Sequence, residues 1–165
     1  MFQIDINNPN KLYQPNEDKL QVWINHILAF LKKAHAIISI EIVNAKEIQN
    51  YNHSYRAKDK PTNILSFRFE APTGLPKNIE TEHFLGDLII CPEVLQKEAK
   101  EQHKLLNAHW CHILIHGILH LVGYDHTEEE DAIEMENIEI ALLAELGIDN
   151  PYVEKQHIMK EKRHL

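Results

Sequence analysis

Three histidines, His116, His120 and His126, fall within the run His116-Gly117-Ile118-Leu119-His120-Leu121-Val122-Gly123-Tyr124-Asp125-His126. Their type and spacing suit a single metal ion. His116 and His120 lie one helical turn apart, so on a helix both imidazoles leave the same face. Continuing the helix straight to His126 would carry that residue about 9 Å along the axis and roughly 240° around it, away from the other two. The helix must therefore end first, and Gly123 is where it ends, because glycine adopts the left-handed conformation at little cost. The returning chain then delivers His126 as a third nitrogen ligand. Three imidazoles leave one position of a tetrahedral zinc open to water or substrate, which marks a catalytic rather than a structural site. Imidazole ligands also suit nickel, copper and iron.

The chain has twelve histidines, and the others lack this spacing. His26, His35, His53, His83, His103, His157 and His164 read as ordinary surface or core residues. His109 and His112 share the helical stripe of His116. They read as polar residues at the rim of a cleft, with support of the ligands or contact with substrate as the alternative. The two cysteines, Cys91 and Cys111, form no close pair and read as reduced thiols rather than a disulfide framework. Cys111 lies well around the helix from His116, so packing is expected of it, not ligation.

A length of 165 residues, 44% of them hydrophobic and 25% charged, fits one soluble globular domain with a sizeable core. No apolar run approaches the length of a membrane span, and the N-terminus has no basic stretch followed by a hydrophobic one, so a cytoplasmic location is expected. A net charge of -8 argues against general affinity for nucleic acid through a basic surface. A local site is still open: Arg56, Lys58, Lys60 and Arg68 gather positive charge. The acidic run Glu128-Glu129-Glu130-Asp131 reads as solvated surface.

The elements that must position these residues follow from periodicity and end signals. Phe2 to Ile6 alternates as a strand, and Asn16 caps a helix whose inner face carries Leu20, Trp23, Ile24, Ile27, Leu28 and Leu31. Ile38 to Val43 is a second strand, and Asn44 with Glu47 opens a short helix towards Tyr55. Asn63 to Phe69 and Leu85 to Cys91 are strands flanking a loop from Glu70 to Glu82. Pro92 starts a helix, the histidine helix follows from about Asn107, and Thr127 with Glu130 caps another that runs to about Glu145. The sum is a small α+β domain over residues 1–150. Residues 151–165, with the mixed run Lys160-Glu161-Lys162-Arg163, read as a loosely held tail.

The three histidines have the spacing of the zinc-protease motif H-E-x-x-H-x-x-G-x-x-H, but Gly117 stands where those enzymes place a glutamate base. Without that carboxylate, water attacking a peptide lacks its usual proton acceptor. Chemistry that draws on metal-activated water, or on a nucleophile within the substrate, fits better. RNA carries such a nucleophile in its 2′-hydroxyl.

The chain resembles the YbeY endoribonucleases, also called rRNA maturation factors. The likeness lies in Asn52 to Phe67 (NHSYRAKDKPTNILSF), in Leu85-Gly86-Asp87-Leu88, in His116 to His126 (HGILHLVGYDH) and in the helix with Glu134-Met135-Glu136. The resemblance implies a mixed four-stranded sheet flanked by helices, with the metal site at the end of a central helix. It further implies a bacterial, cytoplasmic, zinc-dependent, single-strand-specific endoribonuclease. Such an enzyme matures rRNA at the 3′ end of the small-subunit RNA and acts in ribosome quality control. Its partners would be single-stranded RNA, the small ribosomal subunit and assembly factors, with no membrane and no DNA. By the same resemblance His116, His120 and His126 hold one Zn²⁺ per chain, and Arg56 is the functional arginine.

A guanidinium keeps its proton and grips a phosphate through two parallel hydrogen bonds, so Arg56 suits an electrostatic clamp beside a zinc that polarises the scissile phosphate and activates water. A surface ion pair with Asp59 is the plainer role for it. Asp125 either orients its neighbouring ligand or caps the turn after Gly123. Asp87 reads as a supporting residue that satisfies backbone donors or braces the histidine helix. Two other functional classes stay in view: a zinc peptidase with its base supplied from elsewhere, and a non-catalytic ribosome-assembly factor that uses the metal for folding.

Overall fold

The computed structural model describes residues 2–76 and 83–153. Alternating side chains build β1 (Phe2–Asn7) and β2 (Ala36–Ile42), which run parallel with Phe2 opposite Ala36 and Ile6 opposite Ile40. Between them α1 (Glu17–Phe30) starts where the Asn16 side chain accepts a hydrogen bond from the Lys19 amide, and it buries Leu20, Trp23, Ile24, Ile27 and Leu28. The Asn44 side chain likewise accepts from the Glu47 amide to open α2 (Ala45–Arg56). The strands β3 (Ile64–Arg68) and β4 (Phe84–Ile90) pair antiparallel, and β4 lies parallel to β2. The sheet order is β1-β2-β4-β3, a mixed four-stranded sheet with β3 at one edge. Pro92 stands at the start of α3 (Pro92–Glu101), followed by α4 (Leu106–Leu121) and α5 (Glu129–Glu145).

One face of the sheet, through Ile38, Ile40, Ile42, Leu88 and Ile90, joins α1, α4 and α5 in the main core. Val43, Ile48, Leu65, Ile89 and Cys91 form a smaller core on the other side under α2. The fold is a single α+β domain with α4 at its centre, eleven of whose residues are buried. No helix among the described residues is long and apolar enough to cross a membrane.

The helix starts hold one correction. Thr127 does not cap α5; the cap position belongs to Glu128, without a side-chain cap bond. Glu129, Glu130 and Asp131 fill the first turn instead, where negative charge offsets the positive end of the helix dipole. In the loop expected from Glu70 to Glu82, residues 70–76 carry neither helix nor strand. The rest of that loop, the run Lys160-Glu161-Lys162-Arg163, His157 and His164 lie outside the described residues. Both cysteines are free and buried, and burial pushes the Cys111 thiol up to about 12.

His109 is also buried, at 2% exposure, with Nε2 3.0 Å from Glu98 Oε1. This contact fastens α3 to α4. Burial raises the affinity of Glu98 for its proton, but hydrogen bonds from His109 and Asn63 outweigh it and hold the carboxyl below its ordinary value of 4.5. A carboxylate depressed in the folded state stabilises fully above its unfolded pKa, and that stability fades as pH falls through the folded pKa. Glu98→Gln should therefore lower stability by about 1–3 kcal/mol at neutral pH, with the penalty shrinking in increasingly acidic buffer. Urea unfolding across a pH series checks this, and a penalty independent of pH would contradict it.

Candidate metal centre and cleft

The C-terminal end of α4 sets the site. After Leu121 the chain turns at Val122, and Gly123 takes φ +107°. The Gly123 amide donates to the His120 carbonyl and the Tyr124 amide to the Leu119 carbonyl, the paired bonds of a helix end with a left-handed glycine. This stop turns the chain back and brings His126 to the other two histidines. The ring centroids lie 4.6 Å apart for His116 and His120, 5.0 Å for His120 and His126, and 5.7 Å for His116 and His126. One nitrogen from each of the three lies within 4.8 Å of the others, and the cluster could hold a metal ion.

The outer nitrogens fix which inner ones are available. His116 Nδ1 lies 2.6 Å from Glu139 Oε1, and His120 Nδ1 lies 3.0 Å from the Tyr124 carbonyl oxygen. A carboxylate and a carbonyl only accept, so both Nδ1 atoms carry a proton, and in the neutral form of each ring Nε2 presents a lone pair. Those two Nε2 atoms face each other at 3.1 Å. Facing lone pairs repel, and a cation shared by them removes the repulsion, so the donor set fits a metal such as zinc. Burial lowers the pKa of His120, as do His116 and His126, against the opposing pull of the Tyr124 carbonyl and Asp125. The ring is thereby held in the neutral form that ligates metals.

Sequence reasoning missed Glu139. It is fully buried on α5 between Met135 and Leu142, at an apolar position of the helix stripe, and it collects three donors. His112 Nε2 lies 3.1 Å from Oε2, His116 Nδ1 binds Oε1, and the Tyr152 hydroxyl donates to Oε2. Burial alone would raise the Glu139 pKa; the three hydrogen bonds prevail and hold it at about 2. The Tyr152 hydroxyl is pushed well up by burial and by the same carboxylate. Its ring packs edge-on to His112 at 5.5 Å, so the first residues of the segment assigned to the tail dock into the site. His112 accordingly lines the cleft beside His116 but is largely buried against Glu139, whereas His109 is buried and does not line the cleft.

The cluster opens into a cleft of about 870 Å³, in the upper part of the range of ligand clefts. Edge strand β3 with Thr62 and Asn63 forms one wall, and the loop Gly123 to Thr127 forms another. Arg56 and Arg68 line the same space. Arg56 arrives because Ala57, at φ 56°, ends α2 directly after it, and because buried Asn52 donates to the Lys60 carbonyl at 2.9 Å and holds the turn into β3. Asp59 receives a hydrogen bond from Gln49 at 3.0 Å, and among the described residues no ion pair ties Arg56 to Asp59. Lys58 and Lys60 do not line the cleft, whereas Arg68 reaches the helix stop, its guanidinium 3.7 Å from a Cβ built on Gly123.

Three further expectations resolve here. Asp125 lines the cleft and caps its own turn, Oδ1 accepting from the His126 amide at 2.7 Å. Asp87 is exposed on β4, outside the cleft, and makes no supporting hydrogen bond among the described residues. Gly117 faces the sheet: a Cβ there would come within 2.5 Å of Ile64 Cδ1 and 3.0 Å of Leu88 Cδ2. The position of the protease glutamate is thus taken up by close helix-to-strand packing against Ile64, Leu88 and Ser66.

Fold and site together define a small α+β protein with a three-histidine cleft suited to a catalytic metal. A family profile described as Endoribonuclease YbeY matches residues 5–147. Proteins named Endoribonuclease YbeY from Francisella philomiragia subsp. philomiragia and Francisella tularensis subsp. novicida are 50% and 49% identical over 156 residues. These alignments cover 94% of this chain and 98% and 96% of the relatives. The solution structure of a Thermotoga maritima protein matches with a TM-score of 0.57 at 22% identity, over 98% of this chain and 95% of that one, and supports the fold. The chain belongs to the YbeY family of endoribonucleases.

Removing the buried anchor should loosen the cluster. Glu139→Gln is expected to weaken zinc binding by about 10- to 100-fold, read by competition with a fluorescent chelator, while far-ultraviolet dichroism stays that of a folded chain. Unchanged zinc affinity would show that Glu139 does not orient His116.

Proposed function

We propose that this protein is a zinc-dependent, single-strand-specific endoribonuclease of rRNA maturation, acting at the 3′ end of the small-subunit RNA and in ribosome quality control. The observation that carries the reading is the meeting of His116, His120, His126 and Arg56 in one cleft of a chain from this family. His116, His120 and His126 would hold the ion, one per chain. Bound there, zinc supplies Lewis acidity, which polarises a phosphate oxygen and makes water a stronger acid.

The chain's own residues do the rest. Glu139 and the Tyr124 carbonyl hold two of the rings with Nε2 inward. Arg56, free of Asp59, grips the phosphate at the scissile bond and stabilises charge gathering on its oxygens. Because Arg56 is exposed at a helix end, it meets the substrate without first breaking a buried pair. The peptidase alternative lacks its base at Gly117, where the helix packs closely on Ile64 and Leu88 of the sheet. A cytoplasmic site of action and a partnership with the small ribosomal subunit and its assembly factors belong to the same proposal, as does the division into a domain of residues 1–150 and a tail of 151–165 anchored to the domain at its start by Tyr152.

The test uses protein purified without a histidine tag and matched single- and double-stranded RNAs. Chelation is expected to abolish cleavage of the single strand with the fold intact, and zinc to restore it. Arg56→Ala should retain zinc and lose about a hundredfold or more in kcat. Full activity of that variant would remove the clamp; unfolding on chelation without turnover would favour the assembly factor, and cleavage of casein but not RNA the peptidase.

A further inference from the structure

Beside the histidines and arginines, the cleft carries an aromatic surface that phosphate chemistry does not use. Tyr55 lines the cleft next to Arg56 and is 67% exposed. Its ring is nevertheless held on two sides. The Tyr51 ring lies 6.3 Å away and nearly parallel, at 18°, and the Phe67 ring stands edge-on at 5.1 Å and 67°. Phe67 also lines the cleft and is followed by Arg68, so along the chain an arginine directly follows both Tyr55 and Phe67.

A ring fixed by its neighbours yet open to water loses little conformational freedom when a flat ligand covers it. Covering it also removes apolar surface from water. Nucleobases are such ligands, and proteins that take single strands pair aromatic platforms with cations for the backbone. In a duplex the base faces are already covered by their neighbours. We infer that Tyr55, buttressed by Tyr51 and Phe67, stacks one unpaired nucleobase of the RNA strand held by Arg56, and thereby selects single strands over duplex. This rests on the ribonuclease reading above and adds to it the residue that determines strand selectivity.

The test measures cleavage kinetics of the full chain on a single-stranded oligoribonucleotide, on its duplex, and on single strands with one abasic residue moved along the sequence. Tyr55→Leu is expected to raise KM roughly tenfold or more, with the loss falling on KM rather than kcat and with zinc content kept. Tyr55→Phe, which keeps the ring, should recover most of that loss. An abasic residue at one position should raise KM for the wild type by a similar factor and add little in Tyr55→Leu, whose preference for single strands should also narrow. Wild-type KM in Tyr55→Leu, or the same abasic penalty in both proteins, would overturn the platform while leaving the ribonuclease standing. A wild type that cleaves no RNA would overturn the ribonuclease reading, and the platform with it.

Discussion

The buried carboxylate of Glu139 is the interaction on which the site depends. A charged group taken out of water is expensive unless hydrogen bonds replace its hydration. His112, His116 and Tyr152 supply those bonds from two turns of α4 and from the chain beyond α5. The arrangement works in both directions. The donors keep Glu139 ionised, and the ionised carboxylate keeps the proton of His116 on Nδ1 so that Nε2 faces its partners. Because one side chain serves three elements, the docking of α5 and of Tyr152 is part of the geometry of the cluster.

A second constraint is the close approach of α4 to the sheet. Gly117 lets Ile64 and Leu88 reach the helix backbone, and the Ser66 hydroxyl donates to the Gly117 carbonyl at 3.2 Å. This contact lays the edge strand beside the histidine face and makes the strand a wall of the cleft. The glycine that stands where a protease has its base therefore also serves the close packing of α4 on the sheet. At the far end of β3 the turn held by Asn52 delivers Arg56, so the arginine and the histidines meet through two local devices, a helix stop at Ala57 and another at Gly123.

Much of this was legible in the amino-acid order because it is local. The i, i+4 histidines, the helix stop at Gly123, the Asn16 and Asn44 caps and the strand alternation each depend on neighbours a few residues away, and the structure shows each of them. Long-range partners were harder to read. Glu139 sits in a stripe with Met135, Leu142 and Leu143, and an acid at an apolar helical position was the available signal, but only packing reveals that His112 and His116 are what it meets. The stripe shared with His116 places His109 and His112 near the cleft, but only packing pairs His109 with the half-buried Glu98 and His112 with the buried Glu139. Thr127 had the right type for a cap, yet it lines the cleft while three acids serve the helix end. Asp87 belongs to a recognisable block without entering the site.

Family membership and geometry thus converge on one cleft in which cations, imidazoles and aromatic rings lie together on an otherwise acidic protein of net charge -8. Local charge, and not the overall balance, suits it to a polyanion. In the proposed metal centre three histidines hold one ion and leave a position open. X-ray absorption spectroscopy of tag-free protein loaded with one equivalent of zinc tests this most directly. One ion per chain is expected, with three imidazole nitrogens at about 2.0–2.1 Å and one oxygen from water in the fourth position. A fourth protein ligand closing the shell, sulfur in the shell, or no stoichiometric binding would contradict it.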